Sequence, residues 1–285
     1  MRNLARRHPI LTFIALAYAL SWAYWIPLAL RGVLITPGGS VTHFPGLLGP
    51  AVAAYLTTAL IDGWAGVGRL TGRIFLVSRP AVRFWLYSLS PLAFLGAALL
   101  LAAWQGTLPE TSALGRYSGL PARLSLPLVL LLVLLFNGFG EEVGWRGFAL
   151  GRLQARCGPL KGALLLGLVW AGWHVPSFWT VEGYRSMAVP VLIGGFGLGI
   201  CAGSVVLARV ANRTAGSVLA AALWHFTYNM GSATTASRGL IGMVTTSCVM
   251  TWAAVLIIQE FRRPTQPSRL LAEATAELGT PLPGN

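Results

Sequence analysis

Residues 124–174 read LSLPLVLLLVLLFNGFGEEVGWRGFALGRLQARCGPLKGALLLGLVWAGWH. Two apolar runs flank a short basic segment, and two adjacent acids, Glu141 and Glu142, stand at the end of the first run. A bilayer core of about 30 Å needs about 20 apolar residues per helix, so both runs have the length of membrane helices. Continuing the first helix past the acids to about Arg156 brings it to Cys157-Gly158-Pro159, a glycine stop followed by a proline start. The stretch then reads as an antiparallel helical hairpin. Glu141 lies 17 residues before Gly158 and His174 lies 16 after it. Equal distances from the turn mean equal heights, about 24 Å at about 1.5 Å per residue, so the two side chains can face each other.

Working outward, apolar runs occur at 9–30, 45–62, 84–104, 124–141, 159–179, 190–210, 215–233 and 239–259. The fold expected is all-α: a polytopic transmembrane helical bundle of about eight spans, forming a single domain over residues 1–263. Residues 264–285, with Pro264, Pro267, Pro281 and Pro283, are expected to be a disordered cytoplasmic tail. Composition agrees. Of 285 residues 55% are hydrophobic and 10% charged, with a mean hydropathy of +0.67, against about 25% charged residues in soluble domains. The first apolar run continues through Trp22 to Leu30, beyond the h-region of a signal peptide, and so is read as a span.

The net charge of +13 comes from 21 basic and 8 acidic residues. With the N-terminus inside, 16 of the basic residues fall on the cytoplasmic side, and only Arg31, Arg116, Arg123, Arg185 and Arg238 fall outside. This is the positive-inside pattern, with both termini cytoplasmic, and it accounts for the charge without a nucleic-acid partner. The three cysteines, Cys157, Cys201 and Cys248, are far apart, and form neither a disulfide framework nor a cysteine-rich zinc site. The bilayer itself is the expected surrounding, in an integral membrane protein of a bacterial cell membrane.

An ionisable side chain inside a membrane helix costs about 2.5–3.5 kcal/mol, so each needs a partner or a task. Glu141 and Glu142 close the fourth run, His174 lies in the fifth, and His225 lies in the seventh, followed by Asn229 on the same helical face. Glu142 and Arg146 are spaced for an i,i+4 ion pair, which leaves Glu141, about 100° round the helix, as the freer carboxylate. Taken singly, each has an ordinary reading. Glu142 with Arg146 is a structural pair, while the histidines and Asn229 are interhelical hydrogen bonders. Trp170, Trp173 and Trp179 are packing residues or interfacial anchors. Taken together, costly groups at matched depth on three helices mark a site, and Gly144, Gly147 and Gly151 would let neighbouring helices come close beside it.

The ordered set of EExxxR at Glu141, Glu142 and Arg146, WxxxH ending at His174, and HxxxN at His225 and Asn229 resembles the CPBP (Abi) family of intramembrane proteases. That family includes the type II CAAX prenyl endopeptidases. The resemblance covers residues 124–232, with one departure: the second motif is usually FxxxH, and Trp170 replaces the phenylalanine. It implies that Glu141 and His174 activate a water, that His225 and Asn229 stabilise the oxyanion, and that Glu142 and Arg146 orient the site. It also implies a membrane-anchored or prenylated peptide as substrate. Members have been described both as zinc enzymes and as metal-free glutamate-dependent ones. The chain lacks HExxH, and His225 with Asn229 on one face suits paired donors, so no cofactor is expected; zinc held by the Glu/His/His set is the alternative. A transporter, or a noncatalytic membrane scaffold, is the reading from a different class.

Overall fold

The computed structural model describes residues 2–262, so the tail expected at 264–285 lies outside the described residues. A short helix α1 (Arg2–Arg7) leads into α2 (Pro9–Leu30), α3 (Phe44–Gly72), α4 (Ala81–Ser88), α5 (Ser90–Trp104), α6 (Leu126–Cys157), α7 (Pro159–Trp173), α8 (Val189–Arg213), α9 (Val218–Ser232) and α10 (Leu240–Phe261). Among the described residues β-structure is limited to isolated bridges between loops. The all-α membrane bundle read from the sequence is the fold observed.

Each helix starts where the sequence supplies a start. Proline occupies the first turn of α2, α5, α6 and α7, where its missing N–H costs nothing. Gly158, at φ +81°, ends α6 in a conformation open to glycine. α6 and α7 then run back against each other so closely that a Cβ on Gly162 would stand 2.8 Å from the Gln154 backbone nitrogen. α7 stops at Trp173, earlier than the expected 179. Pro176 explains this, since it cannot donate to the helix ladder and disfavours the helical conformation at the residue before it.

Among the described residues five helices are long and apolar enough to cross a membrane: α2, α3, α6, α8 and α10. α4 and α5, bent by 48°, provide a sixth if they form one span. The other two expected spans, α7 and α9, have 15 residues each, about 22 Å at about 1.5 Å per residue. α9 buries Val218, Ala220, Ala221, Ala222, Trp224, His225, Thr227, Asn229, Met230 and Gly231, so protein rather than lipid surrounds most of it. A helix enclosed in this way has no need of bilayer length. The outer helices show the opposite character, with Leu100, Ile193, Leu198 and Met243 exposed as a lipid-facing surface requires.

α6 is the axis of the bundle. It packs against α3 on one side and α9 on the other, while α7 lies along α8, and α10 lies against α5 and α8. α2 is fastened to α7 by hydrogen bonds at the ends of large side chains. The Tyr18 hydroxyl donates to the Val169 carbonyl (2.5 Å), Trp22 Nε1 to the Trp173 carbonyl (2.9 Å), and Trp173 Nε1 to Ser21 Oγ (2.8 Å). Where α2, α5, α7 and α9 finish, their loops are drawn together by the bridges Ile35 with Val181, Pro37 with Ser118, Gly38 with Pro121, and Tyr117 with Thr234.

Candidate active site

The acids sit at a break in helical register. α6 is π-helical over Leu134–Phe139 and again over Val143–Ala149, with the turn Gly140–Glu142 between them. Each π-helical stretch adds residues to a turn and rotates the side chains beyond it, a feature common where a helix must aim a side chain. Both carboxylates are shut away from solvent, Glu141 at 1% exposure and Glu142 at 0%.

Glu142 accepts two hydrogen bonds on the same oxygen, Oε1: from Arg146 Nη1 at 2.9 Å, the ion pair expected from the spacing, and from His225 Nδ1 at 2.8 Å. The second bond joins α6 to α9 and fixes the His225 ring. With Nδ1 occupied by Glu142, Nε2 is the nitrogen of His225 available to a substrate.

Trp170 is the centre of the site. Its indole Nε1 donates to Glu141 Oε2 at 2.7 Å, and its backbone carbonyl accepts from His174 Nδ1 at 2.8 Å. A carbonyl can only accept, so His174 carries its proton on Nδ1 and, when neutral, offers a basic lone pair at Nε2. The indole lies 5.3 Å from the His225 ring and 6.0 Å from the His174 ring, centroid to centroid. On its face sits the Arg146 guanidinium, 4.6 Å from the centroid, a cation–π contact. Glu141 and His174 are therefore both bonded to Trp170, one through the indole and the other through the backbone carbonyl. Sequence reasoning assigned this tryptophan to packing. The only hint was its place in WxxxH, one turn before the histidine.

Asn229 follows His225 by one turn and is 8% exposed. Three further residues reach the site from loops that no motif marks. Tyr117 is buried, with Tyr184, Glu141 and Asn229 near enough to act on its phenol. Tyr184 joins Phe178 and Phe196 in an aromatic wall, with the Phe196 ring 5.2 Å from His174. His43 is buried with Nδ1 lacking a hydrogen-bond partner, and burial pushes its imidazole down to about 4, so it is neutral. Beside it Gly119 has φ +78°, and a Cβ there would meet His43 Nδ1 at 2.7 Å, so both conformation and space demand glycine.

Among the described residues no three His, Cys, Asp or Glu side chains converge as a ligand group. What the arrangement provides is one carboxylate and one imidazole that share Trp170 as a partner, with a second imidazole and an amide from the adjacent helix.

Residues 123–231 match the family described as Type II CAAX prenyl endopeptidase Rce1-like. The matched segment begins just before α6 and ends within α9, so it contains every motif residue of the site. The chain is also 23% identical, over 264 residues, to the CAAX prenyl protease 2 of the archaeon Methanococcus maripaludis, an alignment covering 89% of this chain and 94% of the relative.

Proposed function

From the premise that the chain is a membrane peptidase, Rce1-like across α6 to α9, we propose that it is an intramembrane endopeptidase whose nucleophile is a water activated by Glu141 and His174. The observation that carries this reading is the junction at Trp170, which binds Glu141 through its side chain and His174 through its backbone. Water held between Glu141 and His174 Nε2 loses a proton to the base as it attacks the peptide carbonyl. Negative charge gathers on the carbonyl oxygen, where His225 Nε2, if protonated, and the Asn229 amide act as donors. Collapse of the tetrahedral species breaks the C–N bond, and the proton taken from water passes to the leaving amine. Glu142 and Arg146 orient His225 and do not take part in the transfer.

The substrate proposed is a chain end held in or on the membrane. Apolar helices surround the site, so a folded soluble protein is excluded, whereas an extended peptide can enter between helices with its apolar or lipidated segment in the bilayer. A helical segment would first have to unwind, because a helix hides its carbonyls in internal bonds. The relative's name, CAAX prenyl protease 2, supports a prenylated peptide as the probe to try first. The 16 to 5 division of basic residues supports a topology with both termini in the cytoplasm.

Purified protein in detergent should cut a prenylated CAAX-like peptide, and mass spectrometry should place the cut near the lipidated end. Glu141→Gln should abolish turnover, and His174→Ala, His225→Ala and Asn229→Ala should each lower it by about 10²–10³-fold. Turnover at the wild-type rate by Glu141→Gln, or equal cleavage of soluble peptides without an apolar anchor, overturns the reading. The same assay decides between the water mechanism and zinc. Activity should survive prolonged dialysis against a strong chelator with no change in rate, and its loss with recovery on adding zinc would establish the metal.

A further inference from the structure

An aromatic cluster outside every sequence motif stands against His174. The half-buried Phe196 ring lies 5.2 Å from the imidazole, centroid to centroid, and meets it edge-on at 78°. Behind it are Phe178 at 5.4 Å and Tyr184 at 4.9 Å. We propose that Phe196 is a specificity-determining residue, its ring closing the subsite for a side chain that flanks the scissile bond and so setting how large an apolar side chain is accepted there. The inference rests on the endopeptidase reading above.

The two sides of this wall are held differently. Phe178 and Tyr184 lie on the short helices Ser177–Thr180 and Glu182–Arg185, between α7 and α8. That segment is pinned by its backbone and by an ion pair. The Ile35 amide donates to the Thr180 carbonyl at 2.7 Å, the Glu182 amide to the Ile35 carbonyl at 3.0 Å, and Arg238 Nη2 to Glu182 Oε2 at 2.8 Å. Phe196 comes instead from the N-terminal part of α8, which is π-helical over Leu192–Gly197, a distortion that re-aims the side chains it carries. Around it Val189, Val191, Ile193 and Leu198 are exposed, as a lipid-facing surface requires. A Cβ on Gly194 or Gly197 would meet nothing within 4 Å, so close packing does not hold this part of the helix, whereas residues 203–212 of α8 are all buried. Phe196 thus stands where a lipid-facing, loosely packed helix end meets the catalytic imidazole.

A water activated at His174 attacks a carbonyl that lies within its reach, and the side chains flanking that carbonyl project from the neighbouring α-carbons. A ring in contact with the imidazole therefore meets one of them. A phenyl ring brings no donor or acceptor to the reaction. What it brings is shape: an apolar side chain small enough to stand beside it gains burial, and a larger one is turned away. The chemistry recognised is an apolar substituent at the cut, which a side chain or a lipid attached to the substrate can supply. Contact with the imidazole itself assigns the ring to the side chain, because a lipid that anchors the substrate extends away into the bilayer.

The test uses the full chain in detergent and two series of lipidated peptides, with kcat/KM measured for each and the cut located by mass spectrometry. In the first series the lipid is farnesyl throughout and the residues flanking the cut change from alanine to valine to phenylalanine. In the second the sequence is constant and the lipid changes from farnesyl to geranylgeranyl. Phe196→Ala should raise the ratio of kcat/KM for the phenylalanine peptide over the alanine peptide by about 10-fold or more, and Phe196→Trp should lower it, while the ratio between the two lipids keeps its wild-type value. If Phe196→Ala does not fold, Phe196→Leu and Phe196→Trp should still move the first ratio in opposite directions. Equal losses on all peptides overturn the proposal, since the ring would then be structural, and so do wild-type ratios in every variant. A shift confined to the lipid series also overturns it, because the ring would then read the lipid. Glu141→Gln run in parallel separates the two failures: full activity there refutes the endopeptidase mechanism itself, whereas an inactive Glu141→Gln beside unchanged ratios in the Phe196 variants refutes only the role of the phenylalanine.

Discussion

Arg146 is wholly buried, with Glu142 on one nitrogen and the Trp170 ring beneath its guanidinium. Removing one member of a buried ion pair leaves the other charge uncompensated, at a cost of about 3–5 kcal/mol. Arg146→Ala is therefore expected to lower folded yield and melting temperature sharply, and thermal unfolding of the purified variant with an unchanged midpoint would contradict this. Trp170 calls for a different expectation. Trp170→Phe keeps an aromatic ring under Arg146 and leaves Glu141 in place, while removing the N–H that holds the carboxylate. A fall in kcat of about 10-fold is expected, well short of the loss in Glu141→Gln, and measured rates of equal size in the two variants would show that the indole does more than position. The i,i+4 pair could be read from spacing alone, because one helix contains both partners. Bonds from Trp170 to Glu141 and from His225 to Glu142 join separate helices and leave no trace in sequence spacing.

At the level of helices, three glycines of α6 were expected to allow close approach, and they differ. A Cβ on Gly144 would meet the Pro50 carbonyl oxygen of α3 at 2.7 Å, and one on Gly147 would meet Leu70 Cδ1 at 3.0 Å. One on Gly151 would meet nothing within 4 Å, so the expected approach does not occur there. Gly144→Ala must force α3 and α6 apart, at about 1–3 kcal/mol, and should lower the melting temperature. Gly151→Ala should leave it unchanged or raise it slightly, because alanine is favoured in a helix interior by about 0.5–1 kcal/mol. Equal melting temperatures for the two variants would refute this account of the packing. The difference was hidden in the sequence for a physical reason. The π-helical stretches of α6 rotate its faces away from the regular 3.6-residue period, so counting positions from Gly144 no longer says which neighbour Gly151 faces.

For the whole molecule, the basic residues and the apolar helices together predict a topology. On this reading the N-terminus and the turn at Gly158 face the cytoplasm, and the loop holding Tyr117 faces the other side. Single cysteines introduced at Asn3 and at Ser112 in a background lacking Cys157, Cys201 and Cys248 should be labelled from opposite sides of intact cells, and labelling of both from one side would refute the topology. The sequence by itself determined the membrane class, the helical hairpin with its turn at Gly158 and the Glu142–Arg146 pair. These follow from hydropathy and from distance along one chain segment, which solvent preference and helix geometry convert directly into structure. Only the tertiary structure decided that α7 and α9 are 15-residue helices, α9 mostly enclosed by protein, that Trp170 joins Glu141 to His174, and that Tyr117 and His43 reach the site from loops. Those features depend on contacts between segments far apart in the chain, where an apolar helix finds protein in place of lipid and a buried polar group finds the partner that makes its burial tolerable.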